Sequence, residues 1–168
     1  MELEKTVERL ATELVTLLQD LLTANERALG LARARQEAMR VYDVAVLTGL
    51  IEREEIDGRA METLEKRRRE LLVRFRQVLG FEPTTSQVAA RVNEPLKSQL
   101  LGLAGQVRAV LEQIERINRV NAKVSEAVIK SLSKILKIVT GVAQHAGMYM
   151  RNGRKAAMAG IHLLELTA

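Results

Sequence analysis

The chain has 168 residues, 47% of them hydrophobic but only 2% aromatic, which fits one domain with a core of Leu, Ile, Val and Ala. It contains no cysteine, which excludes structural disulfides and thiolate metal sites; 28% charged residues and two prolines favour long helices over a sheet. The net charge of +5 comes from 26 basic and 21 acidic residues mixed along the chain, a pattern of solvated helix surface. The start, MELEKTVERL, is charged and amphipathic and lacks the basic start and apolar stretch of a signal peptide. No stretch approaches the roughly 18 uncharged apolar residues of a membrane span. The expectation is a soluble cytoplasmic protein with no stable membrane insertion.

The first predicted helix runs from about residue 2 to 40. Leu3, Val7, Leu10, Leu14, Leu17, Leu21, Ala24, Ala28 and Leu31 recur at alternating steps of four and three, a heptad seam that needs a partner helix to cover it. Gly30 lies inside this pattern and costs about 1 kcal/mol relative to alanine, so the helix is expected to loosen there. The second helix, 43–79, opens at Asp43, a good N-cap. Val44, Leu47 and Ile51 form its first stripe, and Met61, Leu64, Leu71, Phe75 and Val78 continue it. Between them the polar stretch IEREEIDGR, with Gly58, marks a point for a bend. Gly80 is a natural C-terminal stop. Pro83 then breaks the helix, and a short helix within 85–92 follows, with Thr85 or Ser86 as its cap.

Pro95 marks the first turn of the last helix, predicted over 94–143. Leu100, Leu103, Val107, Val110, Ile114, Ile117, Asn121, Val124, Val128, Ser131, Ile135, Ile138 and Val142 keep the three-four alternation without a slip. Such a helix is roughly 70 Å long at 1.5 Å per residue. A second row through Ala104, Leu111, Leu132 and Val139 widens the stripe enough for two neighbours. The expected fold is all-α: an elongated antiparallel hairpin of long helices or a three-helix coiled-coil bundle over 1–143, with a C-terminal binding tail over 144–168. The last helix exceeds the second in length, so one end of it is expected to project, exposing Val124, Val128, Leu132, Ile135, Leu136 and Val139.

Chemistry-bearing residues are sparse. His145 and His162 have no second ligand at metal-binding spacing. Glu54 and Glu55 are neighbours and point in different directions on a helix. No glycine-rich loop follows a strand. Lys66-Arg67-Arg68-Arg69 spreads around the helix circumference, and with no Trp, two Phe and two Tyr the chain lacks stacking residues for single strands. Lys123, Lys130 and Lys137 form a basic line one heptad apart, read as an exposed face. The expectation is no catalytic residue, no metal, no cofactor and no nucleic-acid partner. Asn121 sits on the apolar seam with Asn118 one turn before it. A seam asparagine fixes register or partner number; two asparagines three apart also suit hydrogen bonding to a partner chain.

After residue 143 the pattern changes. Met148-Tyr149-Met150-Arg151-Asn152-Gly153-Arg154 combines flexible methionines, suited to an adaptable surface, with an Asn-Gly turn, and the chain ends near Leu163-Leu164. Together with Ile117-Asn118-Arg119-Val120-Asn121 and the layout of long helix, second helix, break, longer helix and tail, these features resemble the FlgN family of flagellar type III export chaperones. The resemblance rests on N-x-x-N, a helix, a Y-x-x-x-G turn and a Leu-Leu ending, in that order. The basic balance departs from the acidic character of many members.

The resemblance implies a non-enzymatic chaperone that binds the C-terminal helices of hook-associated, hook–filament junction proteins, prevents their premature assembly and delivers them to the export gate. Asn118, Asn121 and the apolar positions from Val124 to Val139 are then the client-binding residues, and Tyr149 is the residue that meets the cytoplasmic domain of the gate. The alternative is a structural or adaptor coiled coil that self-assembles; a homo-oligomer suits either, since an uncovered seam meets a client or a copy of itself.

Overall fold

The computed structural model describes residues 2–146, with side chains through residue 141. It contains four helices, α1 (Glu2–Arg40), α2 (Val44–Leu79), α3 (Thr85–Ala89) and α4 (Leu96–Ala146), and no strand among the described residues. The fold is all-α. The chain divides into two compact units, Met1–Lys123 and Val124–Ala168.

In the first unit, α1 and α2 form an antiparallel hairpin. The link between them is three residues long and does two jobs. Tyr42 adopts a left-handed conformation, φ 56°. Its N–H donates to the Met39 carbonyl at 3.4 Å, and the Asp43 N–H donates to the Ala38 carbonyl at 2.9 Å, the Schellman arrangement that satisfies the last carbonyls of a helix. Asp43 then caps α2, its side chain accepting from the Val46 N–H at 3.0 Å. Gly80, φ 81°, closes α2, its N–H bonded to the Arg76 carbonyl at 2.8 Å.

Neither glycine in the hairpin interrupts its helix. α1 is continuous through Gly30 and α2 through Gly58, so the expected loosening and bend are both absent. The charges along IEREEIDGR explain the continuity. Arg35 pairs with Glu54, and Arg27 lies 3.8 Å from Asp57, tying the polar stretch to α1. Lower on the hairpin the polarity reverses: Asp20 accepts from Arg67 at 2.9 Å and Glu13 takes a two-pronged bond from Arg74. Acid on the early turns of α1 and base on its late turns, answered in reverse on α2, disfavour a heptad slip, because a slip breaks this matching of charges.

The core is concentrated at one end of the hairpin. Val7, Leu10, Leu17, Leu18 and Leu21 of α1 pack with Leu71 and Phe75 of α2, Val88 and Ala89 of α3, Val92, and Leu100 of α4. Phe75, Leu10, Leu17, Leu100 and Val88 are the most deeply buried large side chains, each contributing about 1.5–3 kcal/mol of transfer free energy. α3 is held against this end by a capping box: Thr84 accepts from the Gln87 N–H while its own N–H donates to Gln87 Oε1 at 2.8 Å. The cap is thus Thr84, one residue before the expected pair, because Thr84-x-x-Gln87 supplies both halves of the box. α3 also ends at Ala89, short of residue 92.

α4 follows the cis Glu94–Pro95 peptide. Glu94 accepts from both the Ser98 N–H, at 3.2 Å, and the Ser98 hydroxyl, at 2.6 Å, satisfying an orphan donor of the first turn. The first half of α4 runs in the direction of α1: Leu100 belongs to the core beside the early turns of α1, and further on Asn121 meets Ala32. Arg33 bonds Gln113 across the same pair of helices at 3.0 Å. α1 is therefore buried on more than its heptad seam. Ala11, Leu18, Asn25 and Ala32, spaced at heptads, form a second buried row, whereas Leu3, the first seam residue, is exposed.

Candidate functional site

From Val124 onward α4 carries Val, Ile and Leu at positions that share a face, with no glycine or proline before Gly141. Helix propensity and periodicity are thus satisfied without a tertiary partner. Thr140 is accommodated by a bond from its hydroxyl to the Leu136 carbonyl at 2.7 Å. Every residue from Ile129 to Thr140 is exposed. Ile129, Leu132, Ile135, Leu136, Ile138 and Val139 are each more than half exposed, and Val124 and Val128 are half-buried. At roughly 100° per residue these side chains cover about half of the helix circumference. A contiguous apolar surface of this kind marks a binding site or an aggregation hazard.

Val124, Val128, Leu132, Ile135, Leu136 and Val139 all lie on this surface. Sequence reasoning missed Ile129 and Ile138, which extend it on its two edges; Ile138 stood on the heptad ladder and its exposure was the missing signal. The remaining predicted residues lie elsewhere. Asn118 is exposed and lines a cavity of about 280 Å³ bounded by Ala28, Leu31, Gly58, Met61 and Ile114 of the three long helices. Asn121 is 3% exposed, and its Nδ2 donates to the Ala32 carbonyl at 3.0 Å. Its contact is intramolecular, as a register-fixing residue requires. The Asn121 Oδ1 has no hydrogen-bond partner. Tyr149, His162, the Asn-Gly turn and Leu163-Leu164 lie outside the described residues.

The other candidates have structural occupations. Arg67 pairs with Asp20, Arg68 with Glu65, and Arg69 donates to the Glu65 carbonyl, so the basic run is dispersed among intramolecular partners. Glu54 is taken by Arg35. Among the described residues no group of three or more His, Cys, Asp or Glu side chains converges as a metal site, and no helix is long and apolar enough to cross a membrane. Titration is perturbed only at surface ion pairs and caps. The hydrogen bond from Arg74 holds Glu13 below the ordinary carboxylate range, aided by the charges of Arg74 and Arg9 against a small desolvation cost; hydrogen bonds from Ser98 do the same for Glu94. Neither lies beside the apolar surface of α4, which can therefore bind but has no acid, base or nucleophile poised for chemistry.

One further feature escaped sequence reasoning. The link between α1 and α2 presents Val41, Tyr42 and Val44 to solvent, with Tyr42 74% exposed. A tyrosine in a left-handed C′ position, where glycine is usual, leaves no periodic signature in sequence.

The family model described as FlgN protein matches residues 1–157 of the chain. It spans both long helices of the hairpin, all of α4 and the Tyr149 segment. No curated protein and no solved structure is significantly similar to the chain.

Proposed function

The chain belongs to the FlgN family of flagellar export chaperones, and from that premise we propose that it holds the C-terminal helices of hook-associated proteins on the apolar face of α4. The observation that carries this reading is the run of exposed Ile, Leu and Val from Ile129 to Val139 in a protein whose other large apolar side chains fill a defined core. An amphipathic helix lays its apolar face against such a surface, reading it through residues spaced at i, i+3, i+4 and i+7. Covering the client's assembly helix prevents its polymerisation in the cytoplasm. The lack of deep concavity on a single helix face keeps release achievable, because affinity rests on apolar contact without interlocking pockets.

Delivery requires a second surface that remains accessible while the first is occupied. Tyr149 is the residue proposed to meet the cytoplasmic domain of the export gate. Its support is the family pattern, in which it stands at the tyrosine of the Y-x-x-x-G turn, together with the amphipathic ring that suits an interface.

Co-purification tests the client assignment. The chain is expected to retain a full-length hook-associated protein and to lose it when that protein's C-terminal helix is deleted. Retention of the truncated client would overturn the assignment, and self-association with no client retained would favour a coiled-coil scaffold.

A further inference from the structure

The charges beside the apolar face of α4 are lopsided. Between Val124 and Gly141 the chain carries Lys130, Lys134 and Lys137 against a single acid, Glu126. All three lysines are exposed, and none makes an ion pair among the described residues. This contrasts with the hairpin, where Arg35, Arg67, Arg68 and Arg74 are each matched to a carboxylate. At roughly 100° per residue the three lysines fall within an arc of about 60°, all on the side of Ile138. The opposite edge, beside Ile129, carries Ser133 and Thr140. The apolar face therefore has one cationic border and one hydroxyl border.

We infer that the segment Lys130, Lys134 and Lys137 selects an amphipathic client helix bearing carboxylates along one edge of its apolar face. This rests on the client-binding reading of α4 and adds the chemical class of the client. Apolar contact supplies affinity but discriminates poorly between amphipathic helices. A border of unpaired lysines raises the encounter rate of an acidic helix, and its like charge disfavours a basic one. The one-sided placement also orients the client, since only one rotation about its axis brings its carboxylates to the lysines while its apolar residues meet Ile135 and Val139. A lipid surface is the poorer match. An interfacial helix sets basic residues on its polar face and aromatic residues at the boundary, but the segment from Val124 to Gly141 contains no aromatic residue and its lysines crowd one border.

The test uses the full chain and three synthetic helical peptides with one identical apolar seam, flanked along one edge by Glu, Gln or Lys. The Glu peptide is expected to bind about tenfold tighter than the Gln peptide, with the advantage shrinking between about 0.05 and 0.5 M salt. The Lys130→Glu/Lys134→Glu/Lys137→Glu variant should reverse the preference, and the Lys→Gln triple variant should erase it at unchanged helicity. Equal affinity for all three peptides, lost in Ile135→Asp, would overturn the acidic preference while leaving the client surface intact. Binding of no peptide, or binding indifferent to Ile135→Asp, would overturn the client surface and the preference with it. Sedimentation with phosphatidylglycerol vesicles, without discrimination among peptides, would assign the lysines to lipid and overturn the inference.

Discussion

The Asn121 side chain donates to the Ala32 carbonyl at 3.0 Å across the contact between α4 and α1, and its own Oδ1 is left without a partner. The amide is thus half-satisfied in a site that is 3% exposed. A buried polar atom without a partner costs about 1–3 kcal/mol, and the return is registry between two helices. Asn121→Val is accordingly expected to raise thermal stability while broadening the registry. Because the chain has no cysteine, spin labels at Arg33→Cys and Gln113→Cys report that distance directly. A sharper melt with an unchanged, narrow distance distribution would show that the apolar contacts alone set the register.

Tyr42 gives a second stability test. Its left-handed backbone costs about 1–2 kcal/mol for a residue with a Cβ, and its exposed ring recovers little by packing. Tyr42→Gly should raise the melting midpoint by a few degrees. Gly80→Ala should lower it, since Gly80 has the same handedness at the end of α2. A fall in Tyr42→Gly would mean that the ring makes stabilising contacts.

Glu13 and Arg74 set an acid dependence. The hydrogen bond from Arg74 depresses the Glu13 pKa in the folded chain. The pair's contribution is therefore complete above the unfolded glutamate pKa of about 4.3 and is lost as pH falls through the lower folded value. Both side chains are 42% exposed, which limits the contribution to about 0.2–1 kcal/mol. The stability gap between the wild type and Glu13→Gln, measured by denaturant titration, should be constant near neutrality and close in acid. A gap independent of pH would assign the loss to packing.

Tyr149 separates delivery from holding. Tyr149→Ala should leave helicity and client affinity unchanged while lowering affinity for the cytoplasmic domain of the export gate, and with it motility. A fall of several degrees in melting temperature with gate affinity preserved would make Tyr149 a structural residue.

Much of the architecture was legible because it is periodic. The three-four ladder from Leu100 to Val142, Asp43 as a cap and Gly80 as a stop each follow from local rules, and the all-α class follows from them. The second buried row of α1 was not legible, because Ala11, Asn25 and Ala32 carry too little apolar character to stand out beside the leucines. Continuity through Gly58 was likewise hidden: it rests on Arg27–Asp57 and Arg35–Glu54, cross-helix pairs that appear only once the hairpin is formed. Ile135 and Leu100 occupy the same ladder, yet one is exposed and the other fully buried. Periodicity identifies an apolar face but cannot say which stretch of it finds a partner within the chain.

The central claim concerns that exposed stretch, and Ile135→Asp tests it most directly. The residue is 55% exposed, so the substitution removes no core packing and should leave the melting temperature within about 2 °C of the wild type. Calorimetric titration with the C-terminal helix of a hook-associated protein should show affinity reduced at least about tenfold, as expected when a charge is forced into an apolar contact. Unchanged affinity would contradict the account, and parallel losses of melting temperature and affinity would place Ile135 in the fold rather than in the client surface.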